Sequence, residues 1–392
     1  MYLQAQLEDV EGNALRRLTQ FKNLQVTEPL NDSITAKVTV SMTHPAVEEI
    51  HPLKRVLTVV YDDFPVFRGR LTRPVYDFDK GTVEINAHDC TLALKHHYHS
   101  FGDEPVEFGY PIDGRGLRML AESTVPLELQ ADDGMFPSGF LYGVDQTTHQ
   151  ADLGEEGAVW RRVERGTNVW ESIQNLSNIV GAPDFWFRPV HPDFPGVNGE
   201  PPGGFYAELD VFDRRGDDRT SLVIFEKNFG KKNADNVIWE PDGTSVRNFW
   251  VQVYPGGDRS STDDTRRARV LNGDSINLYG MMMGWESSGQ KDKYNTLVEK
   301  AKAWIRAYAF PPDYFTVVPS ADRINVPQYR RDYDVGDTIT ARAKNGLVAK
   351  EIRGRIIEAR LTQMNAQTQT RTELDCVPTV TTSETIVLDQ DT

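Results

Sequence analysis

The chain has 392 residues, of which 39% are hydrophobic and 10% are aromatic, so it can form about two to four domains with real cores. Its net charge of −15 argues against general affinity for nucleic acids or anionic membranes, because both bind basic surfaces. Two cysteines are too few for a disulfide framework, and no apolar run reaches the roughly 18 residues that a membrane span needs. The N-terminal residues alternate in polarity and form no basic and apolar leader, so we expect a protein made in the cytoplasm without integral membrane association.

Residues 1–108 are rich in strand patterns. Ser33–Met42 alternates apolar and polar side chains, which is the period of a half-buried strand. Asp79-Lys80-Gly81 lies between two extended stretches and places glycine where a positive φ is favoured, so it predicts a hairpin turn. We expect this segment to form an N-terminal antiparallel β-domain, either a sandwich or a barrel.

Residues 109–204 differ in sequence pattern from residues 1–108 and predict an α+β middle domain. Thr167 is suited to cap a helix that a glycine and a proline end after residue 180. The apolar residues of this helix recur at helical spacing: Val169, Ile173, Leu176 and Val180. Two polar stretches rich in glycine or proline, 132–158 and 189–204, predict long loops.

Strand patterns return in 205–254 and 313–380, which we expect to form a second β-domain interrupted by an insertion at 255–312. The insertion ends in the clearest helix of the chain, Lys293–Ala309. Its apolar residues fall on one stripe: Tyr294, Leu297, Val298, Ala301, Ile305 and Tyr308. This stripe predicts packing against protein and not against solvent. Residues 381–392 predict a loose, flexible tail.

A faint internal repeat links the two ends of the chain. The motif Arg-Gly-Arg before an apolar residue occurs around Gly69 and again around Gly354, about 285 residues later. Each copy leads through a polar turn to a strand that closes on Asp-Cys, at Cys90 and at Cys376. These four residues predict a duplicated β-module. The alternative is chance recurrence, because glycine is common at such places in strands.

Four of the eight histidines, His88, His96, His97 and His99, lie close together and suggest a metal site. Metal sites need ligands on one face and a carboxylate to orient them, and this stretch has no His-Glu-x-x-His spacing. A metal-dependent peptidase that uses His96, His97 and His99 stays an alternative, but a solvated or interface segment is the preferred interpretation. We predict no bound metal and no cofactor.

The sequence contains no phosphate-binding loop, dinucleotide fingerprint or serine-nucleophile motif. Cys90 follows His88 closely, but neighbouring strand residues point to opposite faces, so proximity in sequence makes no catalytic dyad. Seven tryptophans and many carboxylates leave open a carbohydrate-binding or carbohydrate-processing β-sandwich protein, with Trp160 and Trp285 as candidate contacts. The preferred prediction is a protein without catalytic residues.

Several short motifs resemble the tail-tip or baseplate hub proteins (minor tail proteins) of long-tailed bacteriophages. Phe67–Leu71 followed by Val83–Leu94 is similar to their N-terminal part. The helix at Thr167–Val180 is similar to their middle domain. Tyr333–Ile339 and Ile352–Ile356 are similar to their C-terminal, tube-like domain. The order of these motifs and the repeated β-segments carry the resemblance over almost the whole chain.

This resemblance implies a mainly β fold with α+β insertions, in which two tail-tube-like antiparallel β-barrel or sandwich domains accompany helix-bearing middle domains. It implies a structural virion protein and not an enzyme: a homotrimer at the distal end of the tail tube, whose six β-domains match the tube above. The implied partners are the distal ring of tube protein above, tip or fibre proteins below and the tape-measure protein in the lumen. DNA would pass without specific binding, and the protein would lie at the virion tail tip after assembly in the host cytoplasm.

Overall fold

The structure of the chain is a computed structural model. It describes residues 2–9, 12–62, 64–96, 214–253, 267–287, 294–321 and 326–378, with shorter segments between 106 and 212 and at 386–387. Within these residues the protein is mainly β, so the predicted fold class is confirmed. None of the helices described is long and apolar enough to cross a membrane.

The N-terminal part of the chain is built from strands. They are β1 (Leu3–Glu8), β2 (Ala14–Arg17), β3 (Phe21–Pro29), β4 (Thr35–Ser41), β5 (Val56–Tyr61), β6 (Phe64–Leu71), β7 (Val75–Asp77) and β8 (Thr82–His88). A 3-10 helix at Pro45–Glu49 and the short helix α1 (Thr91–Lys95) accompany them. The predicted hairpin is confirmed, because β7 and β8 pair antiparallel and Gly81 has a φ of 60°.

Two small sheets follow in the middle of the chain. β9 (Val106–Pro111) pairs with β11 (Ala158–Val163), and β10 (Gly143–Val144), β12 (Asp184–Pro189) and β13 (Ala207–Phe212) form a three-stranded sheet. Four residues of the predicted helix at 167–180 are described in helical conformation: Trp170, Glu171, Ile173 and Gln174. Asn168 lies before them outside the helical conformation, and its side-chain oxygen accepts the backbone N–H of Glu171 at 3.2 Å. The other residues of that helix, and most of the two predicted loops, lie outside the described residues.

The C-terminal part of the chain contains further strands and two helices. They are β14 (Ile224–Lys227), β15 (Ala234–Pro241), β16 (Phe249–Val253), β17 (Arg267–Leu271), α2 (Gly273–Tyr279), β18 (Met283–Ser287), α3 (Tyr294–Tyr308), β19 (Asp313–Pro319), β20 (Thr338–Asn345), β21 (Val348–Gln363), β22 (Arg371–Pro378) and β23 (Ile386–Val387). A 3-10 helix at Gly243–Ser245 lies between β15 and β16.

One large sheet contains 14 of the described strands, along the path β15-β19-β22-β21-β3-β4-β8-β6-β5-β1-β2, with β20, β14 and β7 attached beside it. Two groups of strands in this sheet share one order of neighbours. The N-module, β3-β4-β8-β6-β5-β1, corresponds to the C-module, β15-β19-β22-β21-β20-β14, and both groups also follow the same order along the chain. Their last pairs differ, because β1 is antiparallel to β5 whereas β14 is parallel to β20.

The C-module carries a large insertion between β15 and β19, where the N-module has only the short turn between β3 and β4. The insertion holds a four-stranded sheet in the order β18-β16-β17-β23. Its strands include β16, which the sequence assigned to the second β-domain, and β23, which lies in the expected loose tail. The physical reason is the apolar stripe of α3, which needs an apolar sheet to cover it.

The predicted packing of α3 is confirmed. Leu297, Ala301 and Ile305 are buried, and Ala301 and Ile305 belong to one apolar cluster with Trp250 of β16. Trp304 stacks on Trp250 with ring centroids 4.5 Å apart. Burying each large side chain of such a stripe stabilises the fold by about 1.5–3 kcal/mol. The helix therefore holds the insertion together.

Candidate structural site at the junction of the two modules

The two glycines of the Arg-Gly-Arg motifs lie on corresponding strands. Gly69 on β6 pairs with Leu57 of β5, and Gly354 on β21 pairs with Ile339 of β20. β6 and β21 occupy the same place in the order of their modules, and each pairs next with β8 or β22. The register thus gives the two glycines the same position relative to the preceding strand.

Neither glycine has room for a side chain. A Cβ atom on Gly69 would lie 2.2 Å from the carbonyl oxygen of His88, and one on Gly354 would lie 2.6 Å from that of Val377. His88 and Val377 correspond in register, because each pairs with the arginine after the glycine. Phe315 closes the C-module site further, with its Cε1 atom 2.4 Å from the same Cβ position. Glycine is required at both places because the neighbouring backbone approaches closely.

The two cysteines do not share a register position, although their spacings from the glycines are nearly equal. Cys376 lies on β22 and pairs with Ile356 and Phe315, whereas Cys90 lies beyond the end of β8, just before α1. The difference arises because 22 positions separate Arg355 from its partner Val377, whereas 18 separate Arg70 from its partner His88, and one of the extra residues forms a bulge after Ile356. Both thiols are free and buried, and burial raises the pKa of each. They act as small core residues.

Asp89, the other half of the Asp-Cys motif in the N-module, fixes the end of β8. Its carboxylate accepts hydrogen bonds from the backbone N–H of Ile34 at 2.8 Å and from that of Thr91 at 3.1 Å. The hydroxyl of Thr91 donates to the same carboxylate. Burial raises the pKa of Asp89 to about 6, although these hydrogen bonds act to lower it. This carboxylate therefore titrates above the range of an exposed aspartate.

The two modules join through strands that are far apart in sequence. β3 of the N-module pairs antiparallel with β21 of the C-module, with Glu28 opposite Ala359 and Val26 opposite Leu361. The backbone N–H of Leu30 continues the pairing to the carbonyl of Ile357, at 2.7 Å. Apolar side chains of both modules belong to one core cluster. The junction is therefore a continuous sheet over a shared core.

A buried carboxylate lies in this junction. Glu28 is 2% exposed, and its carboxylate accepts hydrogen bonds from Arg215 at 2.7 Å, from the hydroxyl of Tyr329 at 2.7 Å and from Arg330. Burial alone would raise the pKa of Glu28, but the guanidinium groups of Arg330 and Arg215 outweigh it and hold the pKa below its ordinary value. The group is therefore ionised and paired within the core.

Trp186 of β12 packs against both arginines. The guanidinium carbon of Arg215 lies 4.2 Å from the centre of its ring, and that of Arg330 lies 4.7 Å from it. Asp334 bridges the same arginines, at 2.7 Å from Arg330 and 3.4 Å from Arg215. Three segments of the chain are thus held at one point: β3, the 3-stranded sheet of the middle region and the loop before β20.

The second Arg-Gly-Arg motif contributes directly to the junction. Arg355 donates to the carboxylate of Asp184 and to the backbone carbonyls of Gly336 and Arg215, the latter two at 3.0 and 2.8 Å. Asp184 also accepts the backbone N–H of Arg215 at 2.7 Å and the side-chain amide of Asn31 at 2.8 Å. This network attaches β12 to both modules.

Glu28 is the functional residue that reasoning from the sequence missed. Its partners lie 187 and 302 positions away along the chain, so local patterns do not show them. A signal was present, because Glu28 continues the inward-facing series of Leu24 and Val26 on β3. A charged residue at such a position indicates a buried partner.

The histidine stretch is only partly described. His88 is half-buried, and burial, followed by the charge of Lys95, lowers its pKa. His96 is exposed, while His97 and His99 lie outside the described residues. In the described part of the chain no group of three or more His, Cys, Asp or Glu side chains could hold a metal ion. The prediction of a protein without metal stays a prediction.

Solved tail proteins share this fold. The structure is similar to a tail protein from Neisseria meningitidis MC58, with a TM-score of 0.60, 12% identity and coverage of 96% of this chain and 97% of that one. It is similar to the 43 kDa tail protein of prophage MuSo2 from Shewanella oneidensis (TM-score 0.59, 11% identity, 96% and 98% covered). It is also similar to prophage tail protein gp18 from Listeria monocytogenes EGD-e (TM-score 0.52, 10% identity, 95% and 94% covered).

No family model matches the sequence, and no curated protein sequence matches it. At 10–12% identity the likeness to the three tail proteins concerns the fold alone. It extends over nearly the whole of this chain and of theirs. The resemblance to phage tail proteins found in the sequence is therefore confirmed for the fold.

Proposed function

We propose that the chain is a structural tail protein, three copies of which form a hub ring at the distal end of a phage-type tail tube. The observation that carries this proposal is the pair of modules with one strand order, joined into one sheet through β3 and β21. The shared fold of solved tail proteins supports the same role.

Symmetry matching gives the physical mechanism. Each chain contributes two similar modules, so three chains place six similar modules around one axis and can meet a six-fold tube on one side and a three-fold tip on the other. Such a ring needs a fixed angle between the modules of each chain. The ion pairs of Glu28 and the continuous sheet fulfil this need, because bending the junction would leave buried charges unpaired.

We also propose which regions of the chain form the ring and which proteins bind on each side of it. The N-module lies within 1–108. The C-module is formed by 224–241 and 313–378, the middle region lies between the two modules, and the insertion with β16 lies between β15 and β19. The distal tube ring binds above, tip or fibre proteins bind below, and the tape-measure protein occupies the lumen. The protein acts without catalysis at the tail tip of the virion, after assembly in the cytoplasm.

The lumen of the proposed ring should not retain DNA. A wall that is neutral or acidic releases phosphates, whereas several exposed Lys and Arg residues would hold them in a strongly salt-dependent way. The excess of 58 acidic over 43 basic residues favours a wall of the first kind. We expect no retention of duplex DNA by the purified chain at low salt, and tight salt-sensitive binding would contradict this.

Analytical ultracentrifugation of the purified full chain tests the ring directly. The proposal predicts a species with the mass of three chains that persists on dilution into the micromolar range. A strict monomer at every concentration would contradict the proposal. The carbohydrate-binding alternative instead predicts that the purified chain binds a glycan and that Trp285→Ala abolishes this binding, since Trp285 is exposed.

A further inference from the structure

An exposed apolar segment runs from the end of α2 into β18. Six large apolar side chains face solvent there: Leu278, Tyr279, Met281, Met282, Met283 and Trp285. Residues 273–287 are called the methionine patch below. Contiguous exposed apolar side chains mark interaction sites on soluble proteins, and methionine adapts to the surface it binds.

The methionine patch also has a free strand edge. Within the described residues β18 pairs with β16 on one side and with no strand on the other. The outer backbone groups of such a strand can pair with a strand of another chain. The patch therefore combines apolar side chains with unused backbone hydrogen-bonding groups.

A second exposed apolar feature lies at the end of the C-module. The hairpin between β20 and β21 turns at Gly346, with a φ of 57°, and exposes every residue from 344 to 350, including Leu347 and Val348. These residues are called the apolar-tipped hairpin. Between 348 and 353 the described part of β21 pairs with β20 alone, because its pairing with β22 begins at Gly354. This edge of the hairpin is thus not paired with any described strand.

The two surfaces carry opposite charges. The methionine patch has the exposed residues Asp274 and Glu286 and no basic residue. The apolar-tipped hairpin has the exposed residues Lys344 and Lys350 and no acidic residue. Two copies of the same surface would repel each other, whereas the two different surfaces are complementary in charge and both apolar at the centre.

We propose that the apolar-tipped hairpin of one copy docks on the methionine patch of a second copy of this chain. This inference rests on the proposed function, for which it names the contact between neighbours. A contact between two different surfaces is heterologous, so it repeats around an axis and closes into a ring when the rotation fits. Leu347 contacts the methionines, and the lysines lie beside Asp274 and Glu286.

Cross-linking of mixed single-cysteine variants tests this contact. Leu347→Cys and Met282→Cys are mixed and treated with a short bismaleimide, while the native Cys90 and Cys376 are buried and remain unreactive. We expect a covalent two-chain product from the mixture and none from either variant alone. Phe78→Cys, also highly exposed, replaces Leu347→Cys in the control mixture and should give no product.

Sedimentation of charge variants provides the second readout. Leu347→Asp and Met282→Asp should each lose the three-chain species and still unfold cooperatively as folded single chains, because both side chains are exposed, whereas Phe78→Asp should keep the three-chain species. A three-chain species that survives both changes, or cross-linking equal to the control, would overturn the docking proposal while the ring itself stands. Wild-type protein that never forms a three-chain species would contradict the ring, and with it the docking contact.

Discussion

The N-module and the C-module share an order of strands but place their buried charges differently. In the N-module, Arg68 before the motif glycine is buried and pairs with Glu8 of β1, at 3.1 Å. In the C-module the corresponding Arg353 is exposed and pairs with Glu351, and Arg355 after the glycine extends into the junction instead. The arginine of the N-module motif therefore forms a buried ion pair within its own module. The arginine of the C-module motif instead binds Asp184 of β12 in the middle region.

The difference follows from the neighbouring strands. β1 runs antiparallel to β5 and brings Glu8 over β6, whereas β14 runs parallel to β20 and brings Glu226 to Arg342. Close backbone approach fixes the glycine in both modules, but the partner of a charge depends on which strand lies next to it. Backbone constraints are thus repeated between the modules, and charge pairs are not.

The largest effect is expected in the insertion, which has no counterpart in the N-module. Ile305→Asp should destabilise it by more than the about 2–5 kcal/mol typical of a large-to-small change, because it also buries a charge. Hydrogen exchange should show lost protection in β16, β17 and α3 with the junction still protected. Arg306→Asp, at the exposed neighbouring position, is the control and should leave exchange unchanged. Equal loss of protection in β3 and β21 would show that the insertion is part of the junction.

Removal of the junction carboxylate should have the next largest effect. Glu28→Ala removes the buried carboxylate that Arg215 and Arg330 share and leaves Asp334 as their one common acidic partner among the described residues; breaking a buried ion pair typically costs about 3–5 kcal/mol. Urea unfolding should show this loss, while Glu351→Ala, which removes an exposed ion-pair partner, should lower the free energy of unfolding far less. Similar small losses in both variants would contradict the assigned role of the junction.

The pH dependence of stability separates the end of β8 from the junction by sign. Because the pKa of Asp89 is raised to about 6, the folded state gains a proton that the unfolded chain gains only near 3.8, so stability rises by up to about 3 kcal/mol as pH falls between these values. Glu28 acts oppositely, because its pKa is lowered and its contribution is lost at acid pH below about 4.5.

Comparison with Asp89→Asn isolates this effect. His88 has the opposite effect on the pH dependence of stability. Burial lowers its pKa, so folding disfavours the protonated imidazole and stability falls as the pH drops below about 6.5. The difference in free energy of unfolding between wild type and Asp89→Asn, measured at pH 7 and pH 5, should shift in favour of the wild type at pH 5. A constant difference would show that Asp89 is ionised in the fold at both values.

The smallest expected effect concerns the motif glycines, which both modules have in common. Gly69→Ala and Gly354→Ala should each cost about 1–3 kcal/mol, because the added Cβ atoms would lie within 2.6 Å of backbone or ring atoms that must move. Gly243→Ala, with open space around the Cβ position, is the control. Urea unfolding should give both motif variants a lower free energy of unfolding than Gly243→Ala. A loss at only one motif glycine would break the correspondence between the modules.

Patterns of period two and 3.6 predicted several of the strands and the stripe of α3, and a glycine turn predicted the hairpin at Gly81, because these features depend on local sequence. The motif glycines lie on corresponding strands, whereas the cysteines, chosen by spacing alone, do not share a register position, since β21 and β22 form a longer paired hairpin that contains a bulge. The junction could not be predicted, because the pairing of β3 with β21 and the partners of Glu28 depend on contacts between distant segments.

A cryo-electron microscopy map of the purified full chain is the decisive test of the proposed ring. We expect a closed ring of three chains in which N-modules and C-modules alternate at equal radius, giving six similar positions around one channel. A monomer, or an oligomer in which the two modules lie at different radii, would contradict it.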